Sequence, residues 1–191
     1  MLKYATRLPP GKPVRLLSNG LIRKTCKGWG ISTLEFMEAL VNHFIINPDP
    51  LVVPVSNFRK YTNYSYSYDM MRCGLLSSEE KYFIDEVSEL HDKYKSDSFN
   101  DEIISSIDGQ FYKKKFPELY NFLSIIVKQD RYFDIHSGNI LLNEDHNYCL
   151  IDLEGFLRTP LQWHKNDWIT KSQSNMLEIC NIKSINNNLH I

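Results

Sequence analysis

Three oxygen-bearing side chains stand close together late in the chain: Asp134, then Asn139 five positions on, then Asp152. Carboxylate and amide oxygens are the hard donors that Mg²⁺ prefers, and a carboxylate not held by a metal can accept a proton from a hydroxyl. One such base and two metal ligands are the core requirement for moving a phosphoryl group from a nucleotide to an acceptor hydroxyl. Between them the chain is built to bring them together. Ile140, Leu141 and Leu142 read as a strand, residues 143–147 (Asn-Glu-Asp-His-Asn) as a turn, and residues 148–151 as the returning strand. Such a hairpin would deliver Asp152 beside the loop of Asn139. Gly138 is expected to permit a close backbone approach to that asparagine. His136 has two open roles: a protonatable group that partly neutralises the transferred phosphate, or a hydrogen bond within the loop.

The run Asp134-Ile135-His136-Ser137-Gly138-Asn139-Ile140-Leu141 resembles the Asp-Leu-His-Pro-Gly-Asn-Ile-Leu loop of aminoglycoside-phosphotransferase-type kinases. It resembles still more the Asp-Met-His-Ser-Gly-Asn-Ile loop of the small host-directed protein kinases of lytic bacteriophages. The close match spans residues 132–155; elsewhere the likeness is one of order and spacing. It implies an α+β, two-lobed protein-kinase-like fold that uses ATP and Mg²⁺ to phosphorylate a Ser or Thr hydroxyl on a protein. Asp134 would be the base, and Asn139 and Asp152 the metal ligands. The phage likeness implies bacterial host proteins as substrates and the host cytoplasm as the place of action.

The elements before the loop must then supply a nucleotide site. Ser18-Asn19-Gly20 signals a turn, and the strand after it offers Lys24 for the phosphates, on the same side as Ile22, with Arg23 and Lys27 as rivals. A helix opening at Ser32 carries the stripe Met37, Leu40, Val41, Phe44. Glu38, on the side of Leu34, Val41 and Ile45, is expected to orient Lys24; Glu35 is the rival, with a capping role of its own. Residues 51–55 read as a short strand, and residues 61–71, alternating aromatic and small polar side chains, as a single longer one. Asp69, Met70 and Met71 at its end resemble the kinase hinge, whose backbone groups hold adenine. Ser77-Ser78-Glu79-Glu80 caps a further helix, residues 96–109 suggest a short helix in a long loop, and a helix from Pro117 leads into the catalytic loop. The expected division is an N-lobe at 1–68, a hinge at 69–76 and a C-lobe at 77–191.

Four features depart from that pattern. No Gly-rich phosphate loop precedes Lys24. Tyr132 and Phe133 stand where His and Arg are usual, which removes the arginine that would read a phosphorylated activation loop. Asp152 is followed by Leu153-Glu154-Gly155, which places Glu154 within reach of the metal. The stretch after Asp152 is short, implying an abbreviated C-lobe. Two other classes therefore stay open: a small-molecule phosphotransferase, and a kinase-shaped binding protein without catalysis. The net charge of −1 gives no electrostatic reason to expect nucleic acid or an anionic membrane, and Lys113-Lys114-Lys115 has no interleaved aromatics. The four cysteines have no paired spacing, so they read as reduced thiols in a cytoplasmic protein, with Cys149 in the core. No segment is apolar and long enough to suggest membrane insertion.

Overall fold

The computed structural model describes residues 14–27, 31–94, 107–129, 132 and 134–156. The architecture is α+β: a four-stranded antiparallel sheet, a two-stranded hairpin and helices. Strands β1 (Val14–Leu16) and β2 (Ile22–Lys27) are joined through Gly20, whose φ of +84° lies in the region that glycine enters without strain. In β2, Ile22, Lys24 and Cys26 are buried, while Arg23, Thr25 and Lys27 point the other way. Helix α1 (Ile31–Ile46) covers the buried side with Leu34, Met37, Leu40, Val41 and Phe44. It starts ahead of the cap expected at Ser32.

Strands β3 (Val55–Thr62) and β4 (Ser65–Met70) complete the sheet in the order β1-β2-β4-β3. Here two expectations are corrected. The alternating run 61–71 is not one strand. It folds back at Asn63 and Tyr64, where the Thr62 hydroxyl accepts the Tyr64 N–H at 3.1 Å and lies 2.8 Å from the Ser65 hydroxyl. Alternation continues through this tight turn, so the pattern alone did not mark it. Nor do residues 51–55 form a strand of their own: only Val55 enters the sheet, as the first residue of β3. Pro54 has no N–H to give a ladder, and the segment before it pairs instead with Leu150: Val53 donates to Leu150 O at 2.9 Å, and Leu150 donates to Leu51 O at 2.8 Å.

On the face of the sheet away from α1, Asp69 is buried beneath charged partners. Arg23 reaches it through Nε at 2.7 Å, Arg59 at 3.1 Å and the Asn57 amide at 3.2 Å. Burial alone would raise the Asp69 pKa, but the two guanidiniums and the amide outweigh it and hold the carboxyl below its ordinary value. A depressed folded-state pKa stabilises the protein above the unfolded value of about 4, and that contribution is lost as pH falls through the folded value. Asp69→Ala should therefore cost about 1–3 kcal/mol at pH 7 in urea unfolding, with a smaller difference from wild type in acid. Equal stability at pH 7 would show that this cluster contributes nothing net.

The second half is helical. Helix α2 (Ser78–Tyr94) opens with a reciprocal capping box: Glu80 N–H donates to the Ser77 hydroxyl at 3.2 Å, and Ser77 N–H donates to the Glu80 carboxylate at 2.7 Å. Helices α3 (Ile107–Lys115) and α4 (Pro117–Gln129) follow, and Phe83 of α2 stacks on Tyr112 of α3 with centroids 4.2 Å apart. Of the segment 96–109, expected to hold a short helix, 96–106 lies outside the described residues and 107–109 open α3. The chain then forms the hairpin β5 (Ile140–Leu142) and β6 (Tyr148–Leu150). Among the described residues no helix is long and apolar enough to cross a membrane.

Buried residues form two clusters. One joins the sheet and α1; the other joins α2, α4 and the hairpin. The hairpin belongs to both, giving Cys149 to the first and Ile140 and Leu150 to the second. Its ends are fixed by main-chain bonds, Leu150 by residues 51 and 53 and Leu142 by Gly74, which donates to Leu142 O at 2.7 Å and accepts its N–H at 3.2 Å.

Candidate active site

The loop entering β5 is ordered by its own polar groups. Asn139, 5% exposed, donates through Nδ2 to the Asp134 carboxylate at 2.8 Å and to the Asp134 carbonyl at 3.0 Å. These bonds fix which end of the amide is which, leaving Oδ1 directed away from Asp134. His136 Nε2 lies 3.6 Å from the same carboxylate oxygen, and the Gly138 N–H donates to Nδ1 at 3.0 Å. The facing imidazole, ahead of the opposing effect of burial and with help from Asn139, holds Asp134 below the ordinary carboxylate range. In return Asp134 raises His136, against its burial. The loop hydrogen bond of the two roles open to His136 is therefore present, and a second ring proton would displace the Gly138 bond. The group crowded at Gly138 is not the one expected: a Cβ there would lie 2.8 Å from His136 Cε1. Asp85 on α2 supports the loop from outside, accepting the Ser137 N–H at 2.8 Å and its hydroxyl at 2.9 Å.

The returning strand places Asp152 next to this loop, because Ile151 N–H donates to Asn139 O at 3.0 Å. Asp152 Oδ1 lies 2.5 Å from Lys24 Nζ and accepts the Glu154 N–H at 3.0 Å. Residues Leu153–Phe156 form a single 3-10 turn. That turn is held by two buried tyrosines: Tyr132 OH donates to Asp152 O at 3.0 Å, and Tyr68 OH accepts the Leu153 N–H at 3.4 Å. Glu154 receives the Tyr66 hydroxyl at 2.6 Å on one oxygen and lies 3.4 Å from Lys24 on the other. Burial disfavours the Lys24 ammonium, yet the Asp152 and Glu154 carboxylates outweigh it and raise its pKa.

The remaining expected residues lie elsewhere. Glu38 is exposed and falls just outside the buried arc of α1, and Ile45, on its side, is 41% exposed. The arc is set by Leu34, Met37, Val41 and Phe44 against the sheet; no α1 carboxylate is among the ion-pair partners of Lys24 in the described residues. Of the rival cations, Arg23 is committed to Asp69 on the opposite face and Lys27 is exposed at the strand end. Asp69 and Met70 lie within the interior strand β4, paired on both sides, and Met71 N–H already donates to Pro54 O at 3.0 Å. As a hinge these three therefore offer fewer free backbone groups than expected, and the Asp69 side chain has a structural use. After Met71 the chain turns inward, where Cys73 and Cys149 bring their thiols to 3.7 Å, both free.

Asp85, Tyr66 and Tyr132 were not anticipated as supports of the site. Tyr66 and Tyr132 were visible only as apolar or aromatic positions, and the bond of Asp85 to Ser137 joins segments that sequence spacing does not relate.

The donor chemistry suits Mg²⁺. One amide oxygen and one carboxylate are a small set, as expected for an ion that keeps water and takes phosphate oxygens. Among the described residues no group of three or more His, Cys, Asp or Glu side chains forms an all-protein metal cage. Comparison with family models, with curated proteins and with solved structures finds no match to the chain.

Proposed function

We propose that the chain is an ATP- and Mg²⁺-dependent phosphotransferase of protein-kinase-like architecture, acting on a Ser or Thr hydroxyl of a protein. The observation that supports this most is the meeting of Lys24 with Asp152. A largely buried lysine on a sheet strand faces, at 2.5 Å, the aspartate at the end of the hairpin, and the same hairpin begins at an Asn139 bonded to Asp134. Phosphoryl transfer uses these groups in this order: a strand lysine for the phosphates, an aspartate and an asparagine for the metal, and an aspartate for the acceptor proton.

Asn139 Oδ1 and Asp152 would hold Mg²⁺, which neutralises charge on the nucleotide phosphates. Lys24 would position those phosphates by turning ammonium N–H donors from Asp152 toward them. Among the described residues the contacts of Asp134 with Asn139 and His136 fall on Oδ2, so Oδ1 is the oxygen that would accept the acceptor proton. Its side chain is 57% exposed among the described residues, which favours an acceptor hydroxyl presented on a larger molecule over an enclosed small-molecule pocket. The loop resemblance further suggests bacterial host proteins as acceptors.

Nucleotide binding tests the reading directly. ATP at about 100 times its Kd should add about 2.7 kcal/mol to the stability, roughly 5–10 °C in Tm for a chain of this size. The shift should need Mg²⁺ and largely vanish in EDTA. Transfer of label from γ-labelled ATP, alone and with a bacterial lysate, should follow the same dependence. Equal Tm shifts with and without metal, or none at millimolar ATP, would count against the site.

A further inference from the structure

We propose that the positioning residue for Lys24 is Glu154, itself set by Tyr66, and not a carboxylate on helix α1. This rests on the phosphotransferase reading and adds to it. A lysine has a flexible four-carbon stem, so a phosphate contact requires something to hold its ammonium in place. Asp152 touches Lys24 most closely, but a metal ligand must share its charge with the ion. The carboxylate that stays with the lysine is then Glu154, whose Oε2 lies 3.4 Å from Nζ. The other oxygen, Oε1, accepts the hydroxyl of Tyr66 at 2.6 Å. Tyr66 is fully buried and lies in β4 opposite Cys26, two residues along from the Lys24↔Tyr68 pair, so lysine and tyrosine rise from the same side of the sheet.

The arrangement has a functional content that a helix glutamate would not. Asp152 directly precedes the 3-10 turn that carries Glu154, and the Glu154 N–H donates to Asp152 Oδ1 at 3.0 Å. The lysine is therefore positioned relative to the metal aspartate by the same three residues. Helix α1, whose Glu35 and Glu38 are exposed, bears on this turn through packing and not through a carboxylate, with Phe44 5.4 Å from Phe156.

Two readouts separate this role from a structural one and from failure of the wider reading. The first is independent of activity: acylation of Lys24 by an acetyl N-hydroxysuccinimide ester, followed by mass spectrometry. Glu154→Gln and, to a lesser degree, Tyr66→Phe should speed acylation several-fold at unchanged melting behaviour; Glu38→Gln should leave it as in wild type. The second is phosphate transfer from ATP with Mg²⁺. Glu154→Gln should lower kcat/KM for ATP by roughly 10- to 100-fold, the range usual for losing a group that orients a ligand-binding side chain. The double variant Lys24→Met/Glu154→Gln should be no worse than Lys24→Met alone, because both disable one unit. A Glu38→Gln variant that frees Lys24 or impairs transfer, with Glu154→Gln silent, overturns the proposal. If Glu154→Gln frees Lys24 while the wild type neither transfers phosphate nor is protected from acylation by ATP and Mg²⁺, the pairing is structural, and the phosphotransferase reading falls with the positioning role.

Discussion

Asp134→Asn is expected to abolish phosphate transfer, or to lower it by roughly 10²–10⁴-fold, the range for losing a general base, while ATP affinity stays close to wild type. The asparagine keeps the shape of the side chain, and its carbonyl oxygen can still accept the Asn139 Nδ2 bond now made at 2.8 Å. What is lost is the oxygen proposed to take the acceptor proton and the charge that faces His136. Since Asp134 is largely exposed, little stability should go with it. Measured together, transfer and the ATP-dependent Tm shift separate catalysis from action by binding alone. Loss of transfer with ATP binding retained supports a catalytic Asp134. If wild type transfers nothing to itself or to lysate proteins, and Asp134→Asn keeps the full biological effect, the chain acts by binding alone.

Gly155→Ala should be the most disruptive single methyl group near the site. A Cβ at Gly155 would lie 2.3 Å from Tyr132 Cε2 and Cζ and 2.6 Å from its hydroxyl. The ring cannot simply move away: it is 1% exposed and packs edge-on against Phe156 at 5.1 Å. Overpacking of this kind costs about 1–3 kcal/mol, occasionally more. Displacing the ring would also break its bond to Asp152 O and shift the carboxylate that meets Lys24, so transfer should fall further than stability alone explains. Tyr132→Phe, which loses only the hydroxyl, should cost about 0.5–1.5 kcal/mol. In a Tyr132→Leu background the Gly155→Ala penalty should shrink, as measured by urea unfolding. An undiminished penalty there would place the strain elsewhere than at the tyrosine ring.

The hairpin was legible because it is local. An apolar triplet, a turn of five polar residues and a second apolar run fold on themselves, and Asn143 closes the turn by accepting the N–H groups of Asp145 and Asn147 at 3.0 and 2.9 Å. The side that Lys24 takes was likewise legible, as strand alternation needs no distant information. Glu38 was misplaced for a reason of angle: it stands beside buried positions in sequence, but the arc of α1 that meets the sheet ends just short of it. The hidden break at Asn63 and Tyr64 was missed because tyrosines and small polar residues alternate on both sides of the turn. The supports supplied by Asp85, Tyr66 and Tyr132 depend on how the halves dock, which no local pattern encodes.

A protein with two hydrophobic clusters might be thought to come apart in two steps. The hairpin works against that, because Leu150 is packed in one cluster while its neighbour Cys149 is packed in the other, and its two strands are bonded to residues 51 and 53 and to Gly74. Loss of either cluster strips one face of β6 and loosens the hairpin on which the other cluster depends. Melting should therefore be cooperative across both halves, and the residues with the proposed chemistry ride on the segment that couples them.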